Sequence, residues 1–180
     1  MLETTTEQRR LQEIIDTSYD GATPHLRGII SDGRSLRASE IAGLLSGMRT
    51  LNLATVTAGD EPRISAVDGH FLHARWVFST SVTSAKARHI LARPAVSASY
   101  LEGEELGVFT HGSAYRIVVD DTVFDETLSH LTEFYGSSPL SWSDTALFRL
   151  EPSWMVGYVS NRDALLAGRG VAAEPRDPSA

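Results

Sequence analysis

The chain has 180 residues, of which 42% are hydrophobic, so it can form one domain with a buried core. Its formal net charge of −7 argues against a nucleic-acid or anionic-membrane partner, since both bind through broad positive surfaces. The absence of cysteine excludes disulfides, thiolate metal sites and cysteine nucleophiles.

Residues 1–38 predict an N-terminal extension of helix and loop. Residues 6–18 carry an apolar stripe with helical spacing, formed by Leu11, Ile14 and Ile15. The stretch that follows, up to Arg37, has no clear period and contains several glycines, which is typical of a loop.

Residues 39–160 predict a mainly β domain. A short capped helix after Ser39 leads into three β-rich segments, which are separated by a turn cluster at 58–62 and a bend at His73-Ala74. Two hairpins so close together indicate an antiparallel sheet, because parallel strands need longer crossover connections.

The second half of this domain predicts further strands with two helices between them. One helix opens at Ser84, and the other runs from Asp120 to Gly136, a residue type that often ends helices. The long strand that carries Gly112 should contain a bulge or a close backbone contact. The last β segment is expected as a strand pair or as one bulged strand around Pro152.

Together these elements predict a small closed or nearly closed barrel with peripheral helices, because closure removes the free edges of a sheet. The composition after Asn161 predicts a flexible tail over residues 161–180. The acidic, polar start of the chain is unlike a signal peptide, and no stretch approaches the roughly 20 apolar residues that span a bilayer. We therefore expect a soluble cytoplasmic protein without a membrane partner.

One lysine stands among fifteen arginines, and its surroundings predict an anion site. Lys86 follows a strand rich in hydroxyl groups and lies in the first turn of a predicted helix, where free N–H groups favour a phosphate ester. If the second and third strands pair, polar side chains converge at one end of the sheet. These are Arg63, Ser65, Ser79, Thr80, Ser84 and Lys86. The alternative is a surface arginine, strand hydroxyls and an N-cap serine without any ligand.

Other catalytic and metal motifs are not found. Four histidines could include metal or haem ligands, but they have neither an i, i+4 partner nor a cysteine nearby, so no metal site is expected. They are His70, His73, His89 and His111. No P-loop, dinucleotide fingerprint or nucleophile elbow occurs, and we assign no catalytic residue.

Several short segments, in a fixed order and spacing, resemble the pyridoxamine-phosphate-oxidase-like flavin-binding split-barrel superfamily. They are Ala54-Thr55-Val56 with Gly59, Pro62-Arg63-Ile64-Ser65, Val77-Phe78-Ser79-Thr80, Ser84-Ala85-Lys86-Ala87, Arg93-Pro94-Ala95-Val96-Ser97 and His111-Gly112-Ser113-Ala114. The resemblance implies a six-stranded antiparallel split barrel that forms a homodimer, with cofactor sites at the subunit interface. It also implies that the six polar residues surround the phosphate and ribityl chain of a flavin-type cofactor. Trp154 and Tyr158 are candidates for the wall that one subunit contributes to the pocket of the other.

Departures from the family pattern narrow the expected activity. Ala85 stands where a true pyridoxamine phosphate oxidase has a basic residue, and Gly107 stands where it has a glutamine near the flavin ring. The oxidase's substrate-binding C-terminal segment has no counterpart in residues 161–180, so we do not expect vitamin B6 oxidation. A branch of the superfamily that is common in high-GC bacteria uses the deazaflavin F-420, and the arginine-rich composition favours that branch. The motifs leave FMN and F-420 open.

The expected function is a flavin- or deazaflavin-dependent oxidoreductase. Such an enzyme transfers hydride between the bound cofactor and a small organic acceptor. The alternative is a protein that binds FMN, F-420 or haem for storage or sensing and has no turnover of its own, because a fold alone does not decide function.

Overall fold

The structure is a computed structural model, and it describes residues 2–142 and 144–175. Its strands are β1 Met48–Val56, β2 Pro62–Leu72, β3 Arg75–Ser81, β4 Ala95–Glu102, β5 Leu106–Arg116 and β6 Thr145–Val159. All neighbouring strands are antiparallel, and they close a barrel in the order β1-β2-β3-β6-β5-β4. The predicted six-stranded antiparallel barrel is therefore confirmed.

Helices surround the barrel within the described residues. They are α1 Thr5–Asp20, α2 Pro24–Ile29, α3 Ala38–Leu44, α4 Ala85–Ala92, α5 Phe124–Tyr135 and α6 Arg162–Arg169. Two short 3₁₀ turns occur at Asp32–Arg34 and Pro139–Ser141. Across the described part of the chain, every helix is too short or too polar to cross a bilayer.

The barrel interior is filled by every second side chain of each strand. In β1, Leu51, Leu53 and Thr55 are at most 1% exposed, whereas the side chains between them face outward. Aromatic residues complete the interior, and the rings of Phe78 and Phe148 stack with their centroids 5.7 Å apart. The alternation of apolar and polar residues therefore sets which face of each strand is buried.

Gly112 lies at the bulge that the sequence predicts. The register of β5 against β6 shifts between His111 and Gly112, where Gly112 faces Pro152. A Cβ atom added to Gly112 would lie 2.0 Å from the carbonyl oxygen of Glu151, closer than any side chain tolerates. The last β segment is one bulged strand, β6, which was one of the two predicted arrangements.

The N-terminal extension completes the core. Leu11 and Ile15 of α1 are at most 2% exposed and belong to the same cluster as the barrel interior. The Met155 N–H donates to Ser18 Oγ at 3.0 Å, which fixes the end of α1 on β6. The predicted loop before Arg37 is partly wrong, because Thr23 and the following proline cap and begin the short helix α2.

Residues after Asn161 do not form the predicted flexible tail. They continue as α6, whose Leu166 is 1% exposed, and Arg162 forms a buried ion pair with Glu40. The Glu174 N–H donates to Glu40 Oε1 at 2.9 Å, so the chain beyond α6 is also bonded to α3. The reason for the error is that the partner of Arg162 lies 122 residues away in the sequence. Residues 176–180 of the predicted tail lie outside the described residues.

Helix α5 covers the outer face of β3 and β6. It begins at Phe124, later than the predicted start at Asp120, and ends as predicted at Gly136, which has the left-handed φ of 72°. A second, smaller apolar cluster holds it in place. That cluster contains Leu72, Val77, Ile117, Phe124, Leu131 and Leu147.

Candidate functional site

Strands β2 and β3 pair only near their connecting turn. Gly69–Leu72 pairs with Arg75–Phe78, and beyond Phe78 each strand follows a different neighbour. The first half of β2 stays with β1, while the end of β3 stays with β6. The predicted hairpin is therefore open at one end, and this opening is the split of the barrel.

Two of the predicted site residues lie on β2 beside the split. Arg63 and Ser65 share the interior-facing side of β2 with the buried Val67. Ser65 is partly buried, whereas the Arg63 side chain is 57% exposed. The guanidinium of Arg63 donates to Glu61 Oε2 at 2.6 Å, so this cation already has a flexible, exposed partner.

The other predicted residues lie where β3 leads into α4. Thr80 Oγ1 and Ser84 Oγ are 3.3 Å apart, and Ser84 caps α4 by accepting the Ala87 N–H at 3.2 Å. Ser79 differs from Thr80, because alternation along β3 turns its side chain to the outer face with Val77. The structure therefore joins Thr80 and Ser84 but leaves the Ser79 hydroxyl on the opposite side of the strand.

Lys86 is the second residue of α4 and is partly buried. Among the described residues, no hydrogen bond or ion pair engages its ammonium group. The Ala87 N–H of this first helical turn is already bonded to Ser84, but the N–H groups of Ala85 and Lys86 have no acceptor within the helix and can bind an anion. Other cations of this part of the chain have acid partners, since Arg63 pairs with Glu61 and Arg75 with Glu151. An ammonium without such a partner can bind a phosphate ester.

Two contacts that the sequence analysis did not predict connect this corner to β1. Thr55 Oγ1 and His89 Nδ1 are 3.0 Å apart, and Arg93 Nε donates to the Val56 carbonyl at 3.1 Å. Thr55 lies opposite Arg63 in the β1–β2 register. Helix α4 therefore crosses the split from the end of β3 to the end of β1. The alternation of buried residues along β1 predicts that the Thr55 side chain points into the barrel. Nothing in the sequence predicts that it contacts His89.

These contacts arrange the candidate phosphate corner in two halves. Thr80, Ser84 and Lys86 form one half at the start of α4, and Arg63 and Ser65 form the other on β2. Within residues 2–142 and 144–175, no hydrogen bond or ion pair joins the two halves directly. The two halves supply hydroxyl groups and two cations, which are groups that bind anions, but they contain no acid–base pair that would catalyse a reaction without a cofactor.

Four further residues discussed from the sequence lie on β5 and β6, namely Gly107, His111, Trp154 and Tyr158. A Cβ atom on Gly107 would meet Phe109 at 3.0 Å and Leu101 at 3.2 Å, so this glycine makes room for neighbouring side chains within the chain. His111 is exposed rather than in the core, and its ring stacks on Trp154 with centroids 4.6 Å apart. Tyr158 is partly buried on the same strand as Trp154. In the described part of the chain, no three His, Asp or Glu side chains are grouped so that they could hold a metal ion.

The family model for pyridoxamine 5′-phosphate oxidase matches residues 38–156, which is more than half of the chain. The chain belongs to this family. The match begins in α3 and ends in β6, so it includes the whole split and both halves of the candidate phosphate corner. Family membership confirms the resemblance that the sequence segments indicated. No match was found among curated proteins.

Solved structures of other family-like proteins share the fold. A conserved hypothetical protein, Rv2991 from Mycobacterium tuberculosis, is similar over 83% of this chain and 98% of its own, with 17% identity and a TM-score of 0.62. The heme storage protein HutZ from Vibrio cholerae is similar over 61% of this chain and 86% of its own, with 23% identity and a TM-score of 0.52. An F-420 reductase is similar over 62% of this chain and 92% of its own, with 23% identity and a TM-score of 0.50. At these identities the likeness demonstrates the fold alone.

Proposed function

We propose that the chain is an oxidoreductase that binds a flavin-type cofactor, FMN or F-420, and transfers hydride between that cofactor and a small organic acceptor. The observation that carries this proposal is the unpaired ammonium of Lys86 beside the Thr80–Ser84 hydroxyl pair, at the split of the barrel. Family membership supports it, since the name of the family describes an oxidase and one structural relative is named an F-420 reductase.

In this proposal the chain supplies binding and orientation. Lys86 and Arg63 neutralise the phosphate from opposite sides of the split, while Thr80, Ser84 and the first-turn N–H groups donate hydrogen bonds to its oxygens. Ser65 borders the sugar chain, and Ser79 contributes through its backbone because its hydroxyl faces outward. The cofactor, when bound, supplies the hydride chemistry. Since the corner contains no acid that could protonate an acceptor, we assign that proton to solvent.

The second candidate is a cofactor carrier without turnover, for storage or sensing of FMN, F-420 or haem. It is supported by the make-up of the corner, whose side chains are hydroxyls and cations that bind anions and include no carboxylic acid. One structural relative is named a heme storage protein. Haem requires an axial ligand, and the buried His70 already has its Nε2 3.0 Å from the Tyr135 hydroxyl. The exposed His111 contacts Ser97 through Nδ1 at 2.8 Å, which leaves Nε2 as the ring nitrogen that could bind iron.

We also propose that the protein acts as a cytoplasmic homodimer. The support comes from the outer side of the sheet formed by β2, β1, β4, β5 and β6. Two neighbouring cross-strand rows of side chains there contain no charged residue, and we call these two rows the uncharged face. The rows contain Ile64, Ala54, Ser97, His111 and Trp154, and Ala66, Asn52, Ser99, Phe109 and Val156. Ile64 is 76% exposed and Phe109 36% exposed in the single chain. Val156 is already buried at 1% exposure, but a second copy would bury the exposed members of these rows, such as Ile64 and Phe109, against their equivalents, as a two-fold dimer requires.

A paired titration tests the cofactor assignment. Purified protein is titrated with FMN, F-420 and haemin, and binding is followed by quenching of tryptophan fluorescence and, for haemin, by the Soret band. We expect tight binding of FMN or F-420. Oxidation of the reduced cofactor in the presence of a quinone or enone acceptor then separates an oxidoreductase from a carrier, because a carrier binds but does not accelerate the reaction.

The Lys86→Ala variant tests the phosphate corner itself. Its affinity for the cofactor should fall by about 1–3 kcal/mol, the usual cost of losing a charged hydrogen bond. Arg88→Ala is the matched control, since Arg88 lies on the same helix but donates to the Thr83 carbonyl at 2.6 Å instead of facing the corner unpaired. Equal affinities for the Lys86 variant and the unmodified protein would refute the assignment.

A further inference from the structure

The uncharged face contains one titratable side chain near its middle. His111 lies on β5 between Ser97 of β4 and Trp154 of β6. We propose that His111 makes self-association pH-dependent, so that two copies join through the uncharged face when this imidazole is neutral and separate when it is protonated. This inference rests on the homodimer proposed above and adds its control by pH.

The neutral imidazole is held in place on the surface of the sheet. Its Nδ1 lies 2.8 Å from Ser97 Oγ, and its ring stacks on the Trp154 indole at an interplanar angle of 28°. The Ser153 hydroxyl donates to the backbone carbonyl of His111 at 3.3 Å. An imidazole fixed by two contacts, on a backbone that Ser153 also holds, presents the same flat surface to a second copy each time, which favours a specific interface.

Among the described residues, no charged side chain faces His111 from the neighbouring strands. The side chains that face it from β4 are Ser97 and Ser99, and those from β6 are Trp154 and Val156, all of which are neutral. Farther out, β1 contributes only an asparagine and an alanine to the two rows.

The nearest acid in the register is Glu151, which lies opposite Ser113 beyond the bulge. Its carboxylate already binds Arg75 at 2.6 Å and Arg149 at 2.8 Å, so it is not free to pair with an imidazolium. In an isolated protomer, water and the face of Trp154 stabilise the charged ring. In the dimer the water is lost without any replacement, and burying an unpaired charge is costly.

Two-fold symmetry doubles the effect. An isologous interface brings both copies of His111 into the buried region, so each dimer must exclude two protons. Because dissociation of such a dimer is coupled to the uptake of two protons, the dissociation constant should rise by up to about 100-fold for each pH unit of acidification.

Light scattering and sedimentation velocity at pH 8.0 and pH 5.5 test this inference. The proteins compared are the unmodified chain, His111→Gln and the control His25→Gln, whose histidine is exposed on α2. We expect the unmodified chain and the control to be dimeric at pH 8.0 and to dissociate at pH 5.5, while His111→Gln stays dimeric at both. Far-UV circular dichroism at pH 5.5 checks that each protein remains folded.

Two results would overturn the inference, and they are distinguishable. A monomer at pH 8.0 would refute the homodimer and the pH control with it. A dimer at pH 8.0 that does not dissociate on acidification, or that dissociates equally in His111→Gln, would refute the role of His111 and leave the homodimer intact. Cofactor titration at pH 8.0 reports separately on the proposed function.

Discussion

Acidification should destabilise this protein through one buried histidine under α5. His70 is 1% exposed, and its Nε2 is 3.0 Å from the Tyr135 hydroxyl. The rings of His130 and Phe134 approach it edge-on, with centroids 5.8 and 4.9 Å away. Burial, together with the neighbouring His130, lowers the pKa of His70 from 6.5 to about 4, and Asp68 only partly offsets this. The folded protein therefore keeps this imidazole neutral.

The size and the sign of the effect follow from linkage between protonation and folding. Above pH 6.5 the imidazole is neutral in both the folded and the unfolded chain, so it does not change the free energy of unfolding. Below pH 6.5 the unfolded chain takes up a proton that the folded chain excludes, which favours unfolding. Stability is therefore lost as the pH falls from 6.5 to about 4. One pKa unit corresponds to 1.36 kcal/mol, so the loss is about 2 kcal/mol by pH 5 and roughly 3 kcal/mol at pH 4.

Urea unfolding at pH 7.5 and pH 5.0 measures this loss. Other groups also titrate in this range, so the informative quantity is the difference between the unmodified chain and His70→Gln, which cannot take up the proton. We expect the pH-dependent loss to be smaller by about 2 kcal/mol in His70→Gln, even if the variant is less stable at neutral pH. Equal losses in the two proteins would show that His70 is accessible to protons in the folded state and would refute the reasoning.

Three further substitutions test the fold and the site. Gly112→Ala should cost at least about 2–3 kcal/mol in urea unfolding, because its Cβ would lie 2.0 Å from the Glu151 carbonyl oxygen, whereas Gly28→Ala, with nothing within 4 Å, should be neutral or stabilising. Arg162→Met should cost about 3–5 kcal/mol because it leaves Glu40 buried without its partner, whereas Arg169→Met, which removes an exposed pair with Glu102, should leave the free energy of unfolding almost unchanged. A similar cost for both arginines would contradict the difference in burial. Glu61→Gln should strengthen cofactor binding by up to about 1 kcal/mol, since it frees Arg63 from an exposed pair, and weaker binding would mean that Glu61 positions Arg63 instead.

The barrel was predictable because strands and hairpins are encoded by residues that are close together in the sequence. Apolar and polar residues alternate along β1, and turn-forming residues separate the strands, so both patterns can be recognised within a few positions. Gly112 is an informative example, since a glycine in the middle of a strand predicts close backbone contact, and the structure has that contact with Glu151. The Ser84 cap of α4 follows from the same kind of local pattern.

The errors arise where long-range partners decide the structure. The composition after Asn161 resembles a loose tail, and only the buried Glu40, supplied by α3, makes a helix beginning at Arg162 stable. The pKa of Glu40 depends on the same long-range contacts. Desolvation raises this pKa, but the bonds from Arg162 and from two backbone N–H groups lower it by more, so the pKa of Glu40 lies below its ordinary value. A charged pair formed over such a distance leaves no periodic signal in the sequence.

The candidate phosphate corner shows where residue types alone suffice and where topology is needed. Hydroxyls and a lysine at the start of a helix predict an anion site from the sequence, and Thr80 and Ser84 do lie within 3.3 Å of each other. The sequence cannot reveal how far a hairpin remains paired, however, and this pairing determines which residues meet. Because β2 leaves β3 after four residue pairs, no strand ladder joins Arg63 to Thr80, and an opening lies between the two strands instead. The proposed function places the cofactor phosphate at this opening, so the proposal depends on the feature that the sequence did not predict.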